Sequence, residues 1–281
     1  MTTAVAATAT AARKGPRPRG LIWTVLRVHR PALLVWSAYV LLMVGWMLWV
    51  QHVSGARIRA ELDACRRRPE GACIDVMTFS HSMNEGWIGT LIAYASYGIA
   101  AWAGASLIGR ELERGTAQLA WTQSVTPTRW LTAKLAVPAV ALTVGTTVLI
   151  LVYRWFWTAG QDLRGGEWYD PDPFLNRGPA VLAYALCALA VGALAGIALR
   201  RTLPALAVAF GLVLWFHLYV DRHWHELWPA RTLSGPDGSW FPSDHPASDF
   251  WPLHLMTTGV VLTVAVVATG AAYWLLRRRT R

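Results

Sequence analysis

FWPLHLMTTGVVLTVAVVATGAAYWLL, Phe250 to Leu276, runs 27 residues without an Asp, Glu, Lys or Arg, and four arginines follow within the next five positions. A helix rises about 1.5 Å per residue, so about 20 apolar residues cross a hydrocarbon core about 30 Å thick. This run therefore reads as a membrane span ending on a basic collar. Five further stretches have the same character: Pro31 to Val53, Trp87 to Gly109, Leu135 to Tyr153, Gly178 to Leu199 and Thr202 to Val220. All the charges, 26 basic and 16 acidic, fall in the segments between these six runs. Only the tight Arg200-Arg201 connection, followed by Pro204, separates the fourth from the fifth. With 54% hydrophobic and 15% charged residues, 281 residues supply too little polar surface to cover a water-soluble globule. The expected fold is an all-α integral membrane protein with six transmembrane helices (about 31-53, 87-109, 135-153, 178-199, 202-220 and 250-276) forming one transmembrane domain, 21-281, behind a tail, 1-20.

A net charge of +10 and an isoelectric point near 10.2 could signal nucleic-acid binding, so the placement of the charge decides. With the N-terminus inside, the cytoplasmic pieces (1–30, 110–134, 200–201 and 277–281) hold 16 basic and 2 acidic residues, while the outer pieces hold 10 and 14. Basic residues collect on the cytoplasmic side of membrane proteins, which places both termini inside. The basic balance then records topology, and no nucleic-acid partner is expected. Tryptophans agree: Trp49, Trp87, Trp155, Trp157, Trp224 and Trp251 lie near the outer boundary, with Trp23, Trp36 and Trp274 nearer the inner one.

Residues 1–20, rich in Ala, Thr, Pro and Arg, are expected to be a disordered cytoplasmic tail. The apolar run that follows is longer than the roughly 7–15 residues of a cleaved signal, so it is read as a retained first span. Between them, Leu21 to Arg30 reads either as an interfacial amphipathic helix or as the cytoplasmic end of a longer first helix. In the first case Leu21, Val25 and Val28 face the acyl boundary while Arg27, His29 and Arg30 reach headgroups. Cys65 and Cys73, in the first outer loop, are a candidate disulfide in an oxidising exterior, against two free thiols; Cys187 reads as a small core residue. Small residues at intervals of four, Ala101-Ala105-Gly109 and Ala188-Gly192-Gly196, mark faces on which helices approach closely. No span carries a buried acid or base for proton or ion coupling, and neither a catalytic residue nor a metal ligand is assigned.

The most informative charged piece runs from Gly109 to Lys134. Arg110 to Arg114 can continue the second helix out of the membrane, and Gly115 can end or bend it. Thr116 can cap a short helix whose Ala117, Leu119, Ala120 and Trp121 supply an apolar patch, and Pro127 restarts the chain toward the third span. A charged, partly apolar hairpin of this kind is a docking surface for a soluble partner.

The run RELERGT, continued by TQSVTPTRWLTAK, resembles the loop after the second membrane helix of type-2 ABC transporter permeases, particularly the actinobacterial type. The resemblance implies that this hairpin holds a coupling helix seated in a groove of an ATPase subunit, and that the stretch before the first span is an interfacial connecting helix. Residue by residue it points to Glu111, Glu113, Arg114, Gly115, Thr116, Gln123, Ser124, Arg129 and Lys134. It further implies a second permease copy or related chain, since six helices are half of such a transporter, and export of a lipophilic or drug-like molecule. The chain has no G-x-x-x-x-G-K-[ST] loop, so ATP would be bound by the partner subunit and the chain itself would need no cofactor and be no enzyme. The large outer piece 221–249 departs from the family, which often has a short re-entrant element there.

Two other readings compete. His217, Asp221, His223, His225 and Glu226, with Pro242-Ser243-Asp244-His245 nearby, could form the His-rich outer site of a membrane-embedded enzyme. The pattern falls short of phosphatidic-acid-phosphatase-like enzymes: Asp244 stands where a Gly is needed, the His217/Asp221 pair comes too early, and Gly211 occupies the place of an Arg. A non-transport immunity or assembly protein is the second alternative. Twenty-four Arg against only Lys14 and Lys134 suggests a GC-rich bacterial genome, and with it the bacterial plasma membrane.

Overall fold

The computed structural model describes residues 21–67, 76–123, 125–163, 171–229 and 247–280. The tail, 1-20, lies outside them. The chain forms α1 (Leu21–Val28), α2 (Arg30–Trp49), α3 (Gly55–Arg66), α4 (Val76–Trp102), the single turn α5 (Arg110–Glu113), α6 (Thr116–Thr122), α7 (Pro127–Ala159), α8 (Pro171–Asn176), α9 (Ala180–Leu199), α10 (Thr202–His223) and α11 (Phe250–Thr280). Two π-helical segments, Val50–Ser54 and Ala103–Gly109, join α2 to α3 and α4 to α5 without a break. Six helical rods among the described residues are long and apolar enough to cross a membrane: Arg30–Cys65, His81–Glu113, Pro127–Ala159, Ala180–Leu199, Thr202–Leu227 and Phe250–Thr280. The all-α, six-span fold expected from the charge-free runs is therefore present.

Several rods outrun the expected spans. The first is 36 residues, about 54 Å against a hydrocarbon core of about 30 Å, so much of the expected outer loop after residue 53 is helix. Arg, Glu, Ala and Leu are strong helix formers in water, so leaving the membrane does not end a helix. A run without charge measures hydrocarbon thickness, whereas helix ends are set by caps and breakers. The overrun of the first rod is tied to the end of the third. Arg59 donates to both carboxylate oxygens of Asp162 (2.6 and 3.1 Å), while Gln51 donates to the Ala159 carbonyl (2.8 Å). Gln51, joined by Arg59 at 3.2 Å, occupies a carbonyl that the last turn of α7 would leave without a partner.

α9 is the axle of the bundle. It packs against α4, α7, α10, α11 and the π segment, and 83% of its apolar window is buried, against 22–28% for the first, third, fifth and sixth rods. Its composition explains the position, because alanine and glycine let neighbouring backbones come close where lipid offers no hydrophobic drive to associate. At Gly192 a Cβ would lie 2.6 Å from the Ala100 carbonyl oxygen, and at Gly196 one would lie 2.8 Å from Ile108 Cβ. Gly104 meets α10 in the same way, 2.7 Å from the Ala205 oxygen. On α9 the contact face is the expected Ala188-Gly192-Gly196 one. On the second rod the expected face holds only in part: Ala105 is buried, and a Cβ at Gly109 would lie 3.4 Å from the Arg201 oxygen at the start of α10. Ala101 is half-exposed, and Ala100, Ala103 and Gly104 make the approach. The π segment beginning at Ala103 widens the turn and breaks the four-residue spacing.

The connection between α9 and α10 is capped from both sides. Arg200 ends α9 with φ 54°, the one positive φ of a non-glycine residue among the described residues. Arg279 of α11 donates to the carbonyls of Ile197 (2.6 Å) and Ala198 (3.0 Å), closing the end of α9. Glu113 accepts the Thr202 N–H (2.9 Å) and its hydroxyl, closing the start of α10. A carboxylate at a helix N-terminus and a guanidinium at a C-terminus both complement the helix dipole.

Candidate coupling hairpin

The segment expected to receive a partner forms a compact helical hairpin at the basic end of the bundle. Gly115 sits at φ 72°, ψ 3°, a left-handed conformation that glycine adopts without Cβ strain, and it separates α5 from α6. Thr116 donates its hydroxyl to the Glu111 carbonyl (3.2 Å). At the far side Thr126 is extended and caps α7 by accepting the Arg129 N–H (3.3 Å), with Pro127 in the first turn. Ser124 lies outside the described residues.

One face of the hairpin is anchored. Leu112, Ala117 and Trp130 are buried, and Trp121 meets Trp130 edge to face at 5.7 Å. Behind them Glu111 accepts from Lys134 and from the Trp130 indole N–H (3.3 Å), and Lys134 Nζ lies 2.8 Å from His29 Nε2. Lys134 is only 4% exposed, so its charge depends on Glu111 for compensation. Because an ammonium can only donate, His29 Nε2 must accept, which leaves the imidazole neutral with its proton on Nδ1. Burial, then the Lys134 and Arg110 cations, lower the His29 pKa to about 4. His29 therefore does not reach headgroups as the sequence suggested. The chain leaves α1 at His29 and turns that ring inward. Val25 likewise packs on protein, whereas Trp23, Leu26 and Val28 remain exposed.

The other face is open. Arg114, Gln118, Thr122 and Gln123 are exposed, and Leu119 is 60% exposed at its centre. Glu113 and Lys134 do not join this surface. Glu113 is committed to Thr202 and Lys134 is internal, whereas Arg129 is exposed in the first turn of α7. Trp130, Thr202, Arg279 and His29 were missed as site residues. Only His29, an isolated base at the end of an amphipathic run, carried any signal in the sequence.

His29 also meets Trp102 edge to face at 5.7 Å, and Trp102 lines an apolar cavity of about 520 Å³ between α2, α4 and α7. Trp36, Tyr39 and Tyr94 supply aromatic walls, and Pro138 and Leu142 line the α7 side. Trp36 is fixed by donating to the Ala141 carbonyl (3.0 Å), and Tyr39 by donating to the Leu91 carbonyl (2.8 Å). The anchored network and the cavity thus share one wall residue.

The outer histidines do not converge among the described residues. His217 is buried and stacked on Tyr184 at 4.4 Å, with Tyr94 and Tyr97 around it. His223 Nδ1 lies 2.7 Å from the Tyr219 carbonyl oxygen, and no group of three His, Cys, Asp or Glu there is placed to hold a metal. Pro242 to His245 lie outside the described residues. The expectation that no span buries a base is overturned: His217 and His254 are both buried, and His254 accepts the Ala180 N–H (3.0 Å) at the start of α9. Counting only Asp, Glu, Lys and Arg overlooked neutral imidazole. Cys65 is disulfide-bonded, Cys187 is free and buried, and Cys73 lies outside the described residues.

The family profile described as ABC-2 membrane transporter related matches residues 37–223, from within the first span through the hairpin to the end of α10. No curated protein and no solved structure matches the chain. Since the match covers most of the chain and six helices are long and apolar enough to cross a membrane, the chain belongs to the ABC-2 membrane transporter related family and is a multi-pass membrane permease of the ABC transporter kind.

Proposed function

We propose that α6 is the surface on which a separate ATPase subunit docks, and that the chain is the membrane part of an exporter of lipophilic, drug-like molecules. It would work with a second permease copy or a related chain in the bacterial plasma membrane, with both termini in the cytoplasm. The observation that carries this reading is the two-faced hairpin: α6 is anchored by Ala117 and the Trp121–Trp130 contact, while Leu119 stands bare on its outer side. A docking element that transmits force needs a rigid base and an open apolar anchor, and α6 has both.

ATP-bound and ADP-bound forms of the partner would dock differently on α6 and so bias the bundle between inward-facing and outward-facing states. Movement of the hairpin reaches the first span through Glu111, Lys134 and His29, and reaches the cavity through Trp102. The cavity's volume of about 520 Å³ and its aromatic lining suit an apolar molecule of drug size. The sequence carries no phosphate-binding loop, so the energy would come from the partner subunit.

The test is co-expression with the cognate ATPase. Leu119→Asp is expected to weaken co-purification about 30-fold, equivalent to about 2 kcal/mol for a central interface anchor, and to abolish ATP-dependent movement of a lipophilic dye into inverted vesicles. Undiminished co-purification and transport would overturn the docking assignment.

A further inference from the structure

The other face of α7 borders a second recess, about 610 Å³, which neither the hairpin nor the aromatic cavity uses. Its walls include Ala136 and Ala139 of α7 and Ala265, Val266 and Gly270 of α11, and its floor includes Leu189 of α9. Small side chains on two rods leave a crevice where a third rod passes behind. Along α11 it runs from Leu262 to Tyr273, about 16 Å, which is half the thickness of a hydrocarbon core of about 30 Å. Its length is that of one leaflet's acyl chain.

At the basic end the crevice is closed by the hydroxyl pair Thr132–Tyr273, 2.7 Å apart. One turn beyond the pair, on the same helix faces, stand Arg129, three residues before Thr132, and Arg277, four residues after Tyr273, both exposed. The neighbouring arginines are otherwise engaged, Arg278 over the Trp274 ring and Arg279 on the α9 carbonyls. Neither α7 nor α11 contains an Asp or Glu.

We infer that this crevice is a binding site for an anionic phospholipid of the inner leaflet, its acyl chain between α7 and α11 and its phosphate between Arg129 and Arg277. Two guanidiniums at headgroup depth, above an apolar slot of one-leaflet length, match a phosphodiester on a hydrocarbon chain. A second copy of the chain fits the site less well. A two-fold axis along the membrane normal would bring each arginine pair against its own like-charged counterpart. The inference rests on the membrane-spanning fold and not on the ATPase docking proposed above.

The full chain, purified in mild detergent, is offered equal amounts of phosphatidylglycerol and phosphatidylcholine and analysed by native mass spectrometry. Wild type should retain phosphatidylglycerol preferentially. The exposed double variant R129Q/R277Q should lower that preference at least about tenfold, as expected from about 1 kcal/mol for each basic residue at a membrane surface. Ala136→Phe, at an exposed position on the crevice wall, should reduce retention of both lipids. Equal retention of the two lipids by wild type, or an unchanged preference in R129Q/R277Q, would overturn the site. Disulfide cross-linking of T269C between two copies in native membranes would also overturn it, in favour of a protein interface.

Discussion

Replacing Glu111 with Gln removes the carboxylate that compensates Lys134 and leaves an ammonium that is 4% exposed beside a neutral imidazole. Removing one member of a buried ion pair typically costs about 3–5 kcal/mol, because the remaining charge keeps its desolvation penalty and loses its partner. His29 still accepts one hydrogen bond, and Glu111 is itself partly exposed, so the low end, about 3 kcal/mol, applies. At about 2–4 °C per kcal/mol for a chain of this size, the midpoint of unfolding should fall by roughly 6–12 °C. The buried, free Cys187 provides the assay, since a thiol-reactive dye reaches it only when the bundle opens around α9. The double variant E111L/K134M removes both charges and should recover most of the loss, because a buried pair exchanged for apolar groups of similar size is often neutral. It should nonetheless uncouple the hairpin from the first span, giving normal melting with reduced ATP-dependent transport. An E111Q midpoint within about 2 °C of wild type, or a double variant no more stable than the single one, would refute the reading of this pair as a buried anchor.

Gly192→Ala places a methyl group 2.6 Å from a backbone oxygen of α4 that cannot swing away, so it should reduce folded yield sharply in size-exclusion chromatography; Gly211→Ala, with open space around its Cα, should be neutral or gain up to about 1 kcal/mol. His29 has its folded-state pKa lowered to about 4 from 6.5, so the unfolded chain takes up a proton first as pH falls. Its contribution is intact above pH 6.5 and lost as pH drops from there toward 4, and His29→Gln should flatten the melting midpoint across that window. Arg200→Gly relieves a left-handed residue at the end of α9 and should raise the midpoint by the equivalent of about 1 kcal/mol in thermal melts.

The six spans were legible because charge is so costly in hydrocarbon that its absence marks each crossing. What the charge pattern does not carry is the length of each rod. Gly55 to Arg66 is charged, contains good helix formers and continues the first span in water. The hairpin's outline was legible from Gly115 and Pro127, whose backbone preferences are local. The chemistry behind it was not. Glu111 and Lys134 were singled out as residues, but their contact with each other and with His29 joins positions far apart in the chain. The partly misplaced face on the second span has a comparable cause, since a π segment shifts helical spacing and leaves no compositional trace around Ala103. Glu113 read as a surface charge of the hairpin, while tertiary packing bound it to Thr202.

α5 is a single turn, yet its two glutamates hold different parts of the bundle: Glu111 holds α7 and, through Lys134, His29 at the start of α2, while Glu113 holds the start of α10. A turn so loaded works as a yoke. Any tilt imposed on it by a docked partner would divide into two strokes, one delivered to the first and third spans and one to the fifth. A weakened Glu113–Thr202 bond should therefore show up as a change in the timing between the two sides of the bundle and not simply as a weaker response.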